Sequence, residues 1–344
     1  MKKTTAGLAA MLLTTGLLSA GVVKSSKSEI SFKSFGKFSM VQAEKIVQDK
    51  KLSDTTSDFK GKGVLGGLAG KTFLRSGQNI EIIDLPAMTI YQIDQKKKEY
   101  TANPIEKITG EQAQAPGKET APGEQAEESR IKIIRTEFKV TDTGESQVIN
   151  KFPCKKYEVK WLVEWEDLDT GQKGTERLDS LVWTTPMSEM LKTAQSEESV
   201  FYNEYMKKIG LDMDKAQKDI LGTEWLSLLS TMSAGQPGRG SAGLSPKGED
   251  VARELKKIQG YPIVTDGKYF SEKKGEPAEK REEVDAGGLK GGLGKFAMKA
   301  LKKKPAPEEA NAPNLSFYTE ITSLEVTAVD ASEFQVPAGY KKKG

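Results

Sequence analysis

The sequence lacks histidine altogether and contains a single cysteine, Cys154. Histidine is the commonest general base near neutral pH and the commonest metal ligand. Its absence excludes Ser-His-Asp and Cys-His nucleophiles together with histidine-containing zinc sites. One cysteine can form neither an internal disulfide nor a cysteine cluster around a metal ion. We therefore expect no metal and no cofactor. We interpret Cys154 as a buried thiol, since free cysteine is among the most buried residue types.

The sequence also lacks a strong excess of either charge and a large apolar fraction. Its 344 residues include 52 Lys and Arg against 49 Asp and Glu, and 36% of them are apolar. Globular chains typically contain roughly 45–50% apolar residues when glycine is counted too. The low apolar content favours one modest core with polar insertions over two full domains. Because a basic excess is missing, nucleic acid is not expected to be a partner.

Long apolar runs are missing except near the amino terminus. Two lysines there precede an apolar run over 6–18, and small residues ending in Ala20 and Gly21 follow it. This is the layout of a secretory signal peptide, and the run is too short to be typical of a spanning helix. We predict that residues 1–21 are a signal peptide, cleaved after Ala20 or Gly21, and that the protein is exported to the periplasm. An uncleaved membrane anchor is the alternative. Gly21 stands where bacterial lipoproteins carry their acylated cysteine, so no lipid anchor is expected.

The clearest pattern in the chain lies at 154–166, which reads CKKYEVKWLVEWE. Apolar and charged residues alternate there, which predicts a strand with one aromatic-rich face and one charged face. Ligand pockets are mostly apolar, so the aromatic-rich face is the candidate ligand-binding surface, and an ordinary core is the alternative. This face consists of Tyr157, Val159, Trp161, Val163 and Trp165.

Other short segments predict further strands and three helices. Strand-like segments rich in Ile, Val and aromatic residues are separated by turn signals, as in an antiparallel meander. They lie at 79–84, 89–94, 130–140, 176–183, 261–270 and 314–329, whereas 41–52 fits a strand or a helix. Apolar residues at three- and four-residue spacing predict helices at 187–209, 213–232 and 247–258.

Two polar stretches interrupt this pattern, at 109–129 and 271–313. The first contains two prolines, several Gln and Glu, and no large apolar residue. Such composition cannot bury enough apolar surface to offset the entropy of ordering, so we expect both stretches to be disordered insertions.

Part of the second insertion has a basic amphipathic pattern. Three large apolar residues can share one helical face there, with lysines around them, which is typical of a segment that lies on a membrane surface. Five glycines from 287 to 294 weaken it as a helix, and an unstructured solvated tract is the alternative. The residues that predict membrane contact are Leu289, Leu293, Lys295, Phe296 and Lys299.

Carboxylate pairs occur, for example Glu164 with Glu166, but no nucleophile or metal ligand accompanies them in the sequence pattern. Adjacent charges on one face of a strand are usually solvated. We therefore predict a binding or interaction protein and no enzyme.

Seven short pieces in a fixed order carry a resemblance to a known family. They are NIEIID at 79–84, IYQID at 90–94, KEYT at 98–101, FPCKKYEV at 152–159, VW at 182–183, GYPI at 260–263 and FQVPAGY at 334–340. In this order they resemble a family of exported bacterial proteins known as a domain of unknown function. That family is similar to the lipoprotein-carrier (LolA/LolB-like) superfamily. The resemblance covers most of residues 72–340, while the three-helix section and the two insertions depart from the carriers.

The resemblance implies an α+β fold. Its sheet is curved, unclosed and antiparallel, a half-barrel with helices packed on its concave face. It also implies one LolA-like domain over 30–340 and, as in the carriers, a hollow that binds acyl chains. We accordingly expect a periplasmic binding or carrier protein for a lipid or other apolar ligand. The alternative is an envelope interaction or structural protein whose insertions bind a protein partner or a membrane surface.

Overall fold

The structure is a computed structural model, and it describes residues 18–33, 35–62, 76–107, 131–210, 248–274 and 312–343. The predicted helix at 213–232, the insertion at 109–129 and the basic segment with Leu289, Leu293, Lys295, Phe296 and Lys299 lie outside the described residues.

Twelve strands of the described ranges form a single unclosed sheet. Its strand order is β12-β6-β5-β4-β3-β2-β1-β11-β10-β9-β8-β7. The strands are β1 (Leu18–Phe32), β2 (Gly36–Val47), β3 (Lys50–Gly61), β4 (Gly77–Asp84), β5 (Thr89–Asp94), β6 (Glu99–Pro104), β7 (Ile131–Ile149), β8 (Phe152–Asp167), β9 (Lys173–Thr185), β10 (Tyr261–Lys274), β11 (Leu315–Asp330) and β12 (Lys341–Lys342).

Neighbouring strands are antiparallel with one exception, because β12 pairs parallel to β6. The sheet is therefore mixed, and the prediction of a purely antiparallel sheet was wrong at this edge. After β11 a short 3-10 helix (Ala331–Phe334) and a turn with Gly339 at φ +84° lead the chain back along β6. Short parallel pairing follows because the chain comes to this edge from β11, in the middle of the sheet, rather than through a hairpin from β6.

The sheet consists of two meanders joined by one long-range pair. Strands β1 to β6 lie side by side in chain order, and β7 to β10 do the same. Strand β11 lies between β1 and β10 and pairs antiparallel with both. Residues near the two ends of the chain thus complete the middle of the sheet.

The alternating pattern at 154–166 lies in β8, as predicted, and β8 forms the predicted hairpin with β9. Within this hairpin Tyr157 pairs with Val182, and Trp165 pairs with Gly174. The ambiguous segment at 41–52 belongs to β2 and β3 and is not helical.

Two predicted boundaries meet regular strands in the structure. Strand β10 continues to Lys274 and pairs with β9 beyond Ser271, where the second insertion was predicted to begin. Strand β1 begins at Leu18, so it contains both predicted cleavage positions, the one after Ala20 and the one after Gly21. Cleavage there leaves most of β1 in place.

Two α-helices occur in the described ranges, α1 (Glu189–Lys208) and α2 (Gly248–Leu255). Ser188 caps α1, since its side chain accepts a hydrogen bond from the Leu191 amide at 3.3 Å. Glu189 in the first turn, with Lys207 and Lys208 in the last, suits the helix dipole. Both helices lie within the predicted segments.

Each helix packs on its own part of the sheet. Helix α1 contributes Leu191, Ala194 and Phe201 to a core cluster with Val22 and Ile46 of β1 and β2. Helix α2 belongs to a second cluster, built around the aromatic side of β8. Cys154 is buried in the first cluster, as predicted, and burial raises the pKa of its thiol.

Candidate ligand-binding face

The five predicted site residues share one side of β8, and all are buried. Trp161 is 1% exposed and Trp165 is 0% exposed. Against them pack Val251 and Leu255 of α2 and Ile258 just after it. The described residues therefore fill this aromatic face with α2 and the neighbouring strands. The five residues are Tyr157, Val159, Trp161, Val163 and Trp165.

Glycines lie under two of the aromatic rings of this cluster. Gly174 pairs directly with Trp165, and a Cβ added to Gly174 would lie 2.1 Å from Cζ2 of the indole. Gly267 has the same relation to Phe317 across the β10–β11 pair. The rings thus lie flat against the backbone of the neighbouring strand. The sequence analysis missed this, and only the pairing of glycine with an aromatic residue across strands could have indicated it.

A buried carboxylate, Glu176 of β9, adjoins the aromatic face and is 1% exposed. It accepts hydrogen bonds from Trp165 Nε1 at 3.3 Å, from Ser271 Oγ at 3.0 Å and from the Tyr269 hydroxyl. The sequence analysis did not single it out. Its position two residues before Leu178 puts this charged residue on the same side of β9 as buried apolar residues, and the sequence could have shown that.

Trp161 differs from Trp165 because its indole N–H is buried without a hydrogen-bond acceptor in the part of the chain that the structure describes. Its ring lies between Phe138 of β7 and Leu178 of β9 in the pairing register. A buried donor left unpaired costs about 1–3 kcal/mol. Such groups in native structures call for an explanation, for example an unseen water or ligand.

Polar contacts hold the α2 region near its carboxyl end. The Glu254 carboxylate accepts a hydrogen bond from the Val140 amide of β7 at 2.9 Å. Hydrogen bonds from Lys257 and from that amide hold the pKa of Glu254 below its usual range. Thr184 donates a hydrogen bond to the carbonyl oxygen of Gln259 at 2.5 Å. The rest of the contact between α2 and the sheet is apolar.

Helix α1, by contrast, is joined to the sheet through buried charges. Lys24 Nζ of β1 lies 2.6 Å from Glu198 Oε1 of α1 and 3.3 Å from Glu44 Oε2 of β2. Tyr261 of β10 donates a hydrogen bond to the other oxygen of Glu198 at 2.8 Å. Burial by itself lowers the pKa of Lys24, but Glu198 and the other partners outweigh it and raise that pKa well above its usual value.

A second lysine extends this network. Lys51 Nζ of β3 lies 2.5 Å from Glu44 Oε1 and donates a hydrogen bond of 2.9 Å to the Tyr202 hydroxyl of α1. Burial opposes the charge on Glu44, yet Lys24 and Lys51 prevail and hold its pKa below the usual value. The pKa of Lys51 is raised in the same way, against the effect of burial. Both lysines keep their protons, so the network offers a fixed anchor for α1 and no free base.

A third polar cluster joins strands that are not neighbours. Asn150, in the turn between β7 and β8, donates to Glu320 Oε1 of β11 at 2.6 Å. Lys27 and the Tyr318 hydroxyl each approach Glu320 Oε2 at 2.6 Å. Burial and the Glu320 carboxylate raise the pKa of Tyr318. Since β10 and β9 lie between β11 and β8, this contact requires the sheet to curl at that corner.

The predicted solvated charges lie away from the aromatic face. Glu166 is 3.7 Å from Lys173, and Glu164 alternates with the buried side of β8. Among the described residues, no three His, Cys, Asp or Glu side chains are grouped to hold a metal ion. None of the described helices combines the length and the apolar character needed to cross a membrane.

Comparison of the chain with protein-family models, with curated proteins and with solved structures found no match.

Proposed function

We propose that this protein is a periplasmic binding or carrier protein for a lipid or other apolar ligand, held on the aromatic face of β8 beneath α2. In this proposal the sheet is a half-barrel with its helices on the concave side, as in the LolA/LolB-like carriers that the sequence resembles. One observation carries the proposal. The buried Trp161 N–H has no acceptor within the described ranges, in a cluster whose side chains are mostly apolar. A ligand with an apolar body and one acceptor oxygen fits such a surface.

The attachment of α2 supports a route by which a ligand reaches this face. The helix is short, and it packs on the sheet through apolar side chains, with its polar contacts near the carboxyl end. Apolar contacts are non-directional, so a bound acyl chain can replace them when α2 moves aside. Helix α1 has no such freedom, because Lys24 and Glu198 tie it to the sheet.

The test is palmitate binding by the full chain with Trp161→Phe. Phenylalanine keeps an aromatic ring but lacks the N–H that would donate a hydrogen bond to the palmitate carboxylate. Hydrogen bonds to charged groups contribute about 1.5–3 kcal/mol, so affinity for radiolabelled palmitate in equilibrium dialysis is expected to fall at least about tenfold.

The matched control is Trp183→Phe. Trp183 follows Val182 in β9, so it lies on the other side of the strand, where Lys156 Nζ is 5.6 Å from its ring centroid. This variant is expected to bind palmitate as the unaltered protein does. The proposal fails if wild type does not bind palmitate and protein purified from the envelope carries no lipid.

The complete burial of the aromatic face favours a second candidate, an envelope interaction or structural protein. Here Trp161 and Trp165 are core residues, and the insertions at 109–129 and 271–313 bind a partner. Crosslinking in cells separates the candidates. A protein partner that disappears when 109–129 is deleted, with no palmitate binding, supports the second one.

A further inference from the structure

Two runs of three lysines, far apart in sequence, meet at one edge of the sheet. Residues 96–98 form the turn between β5 and β6, and residues 341–343 include β12 beside β6. A backbone hydrogen bond of 2.8 Å from Lys343 to the carbonyl oxygen of Tyr100, and another of 2.9 Å from Lys341 to Lys98, hold the runs together. All six side chains are exposed. We call these six residues the lysine edge.

The lysine edge concentrates positive charge that is largely uncompensated. The whole chain has a formal net charge of only +3. Among the described residues, the one ion pair of these lysines joins Lys97 to Asp94 at 3.3 Å, and both of its side chains are well exposed. An exposed pair of this kind is screened by water and salt, so most of the charge remains available to a partner.

An open groove of about 400 Å³ adjoins the lysine edge. Its walls combine lysine ammonium groups with neutral side chains that can donate hydrogen bonds, and Asp94 and Glu99 are the carboxylates in its lining. An anionic headgroup therefore meets several donors in one place. These donors include Lys96, Lys97, Lys343, Gln78, Asn79 and Tyr100.

We propose that the lysine edge docks the protein on an anionic lipid surface, with a headgroup phosphate in the adjoining groove. Each lysine close to an anionic membrane contributes on the order of fivefold in affinity. The site is separate from the aromatic face, and it is built from described residues rather than from the basic segment at 287–304.

The type of residue favours a membrane over a specific small anion or peptide. All six charges are lysines, which act as flexible point charges and suit a diffuse anionic surface, whereas bidentate recognition of one phosphate or carboxylate favours arginine. The edge also carries Tyr91 and Tyr100, whose ring centroids are 6.2 Å apart and which are partly exposed. Tyrosine is enriched at the level of lipid headgroups.

The experiment is sedimentation of the full chain with vesicles of phosphatidylglycerol and phosphatidylcholine, against vesicles of phosphatidylcholine alone. Binding only to the anionic vesicles, weakened by salt, is expected. Neutralising either run should lower the affinity at least about tenfold. The first variant combines Lys96→Gln, Lys97→Gln and Lys98→Gln, and the second combines Lys341→Gln, Lys342→Gln and Lys343→Gln.

The matched control removes three exposed lysines near the opposite edge of the sheet, through Lys132→Gln, Lys139→Gln and Lys155→Gln. It changes the net charge equally and should retain vesicle binding. If all three variants lose affinity for the anionic vesicles equally, binding depends on net charge alone and the proposal is overturned. It is also overturned if deletion of 287–304 abolishes binding while both lysine-edge variants bind normally. The same holds if those variants only self-associate, which means that the lysines guard an edge strand. It holds too if the wild type binds soluble polyglutamate but no vesicles.

Discussion

At the scale of single residues, buried charges decide where α1 lies. The side chain of Lys24 is 15% exposed and that of Glu198 is 1% exposed, and their charged atoms are 2.6 Å apart. Taking such charges out of water costs several kcal/mol for each ion, and close partners offset that cost. The network therefore stabilises one position of α1 because any other leaves a buried charge alone.

We predict that Lys24→Met destabilises the protein by about 3–5 kcal/mol. The buried Glu198 carboxylate loses the Lys24 ammonium and keeps the Tyr261 hydroxyl as its partner among the described residues. Urea unfolding measures the loss. The control is Lys37→Met, which breaks the half-exposed pair with Glu29 at 2.7 Å and should cost about 0–1 kcal/mol. Equal small losses in both variants contradict the prediction.

The same network predicts a two-sided pH dependence of stability. The pKa of Glu44 is lowered by folding, so its contribution is present above an unfolded value of about 4.3 and is lost as pH falls through its folded pKa. The pKa values of Lys24 and Lys51 are raised, so their contribution is present below about 10.4 and is lost as pH rises through the folded values.

Urea midpoints recorded across the pH range should therefore show a plateau that falls at both ends. Glu44→Gln should flatten the acid side, since glutamine has no carboxylate to protonate. If the urea midpoints of this variant fall at low pH as those of the wild type do, other carboxylates cause the loss of stability in acid.

The Trp165 ring occupies the space that a side chain at position 174 would need, so a larger residue there should destabilise the protein. We expect Gly174→Ala to destabilise the protein by about 1–3 kcal/mol, because the new Cβ would lie 2.1 Å from a fully buried ring. Gly77→Ala is the control, since a Cβ there meets nothing within 4 Å. Thermal unfolding of both variants compares them, and an unaffected Gly174→Ala protein shows that the ring can shift.

At the scale of elements, the two helices differ in how they are attached. Helix α1 contacts β1, β2 and β11 and is held by the buried charges of Lys24 and Lys51. Helix α2 is shorter and has an apolar underside. Local opening should therefore occur at α2 at a lower free energy than at α1, and hydrogen exchange measures both.

Glu254 provides the specific test at this scale, because it bonds to the Val140 amide of β7, an edge strand. We predict that Glu254→Ala speeds hydrogen exchange at Val140 by about fivefold, since a net hydrogen bond is worth roughly 1 kcal/mol. Asp250→Ala is the control, because Asp250 pairs only with Arg253 among the described residues. Unchanged exchange at Val140 means that Glu254 does not protect this edge.

At the scale of the whole molecule, β1 has neighbours on both sides, β2 and β11, and it begins where cleavage of the signal peptide is predicted. Val22 is fully buried, and a Cβ at Gly21 would lie 2.9 Å from the carbonyl oxygen of Ile46. The residues just after the predicted cleavage positions are therefore part of the core.

We predict that protein from the periplasm begins at Gly21 or Val22 and is as stable as the intact chain, because β1 keeps its central pairs. Intact-mass measurement gives the first residue, and urea unfolding compares the stability. A protein that retains Met1 and stays with the membrane supports the uncleaved anchor instead.

Elements whose residue pattern is local were predictable from the amino-acid sequence. Alternation predicted β8 and its hairpin with β9, and three- and four-residue spacing predicted α1, since each pattern follows from the geometry of one element. The burial of Trp161 follows from the same alternation. Its unpaired N–H does not, because the positions of acceptors depend on other strands.

The contacts between distant segments could not be predicted in this way. Lys24 and Glu198 are 174 residues apart, and the lysines at 96–98 and 341–343 are even farther apart in the sequence. No local pattern contains such a pair, because it arises when β11 joins the two meanders and the chain then returns along β6. The aromatic strand was therefore predictable, whereas the anchor of α1 and the lysine edge emerge only when the sheet is assembled.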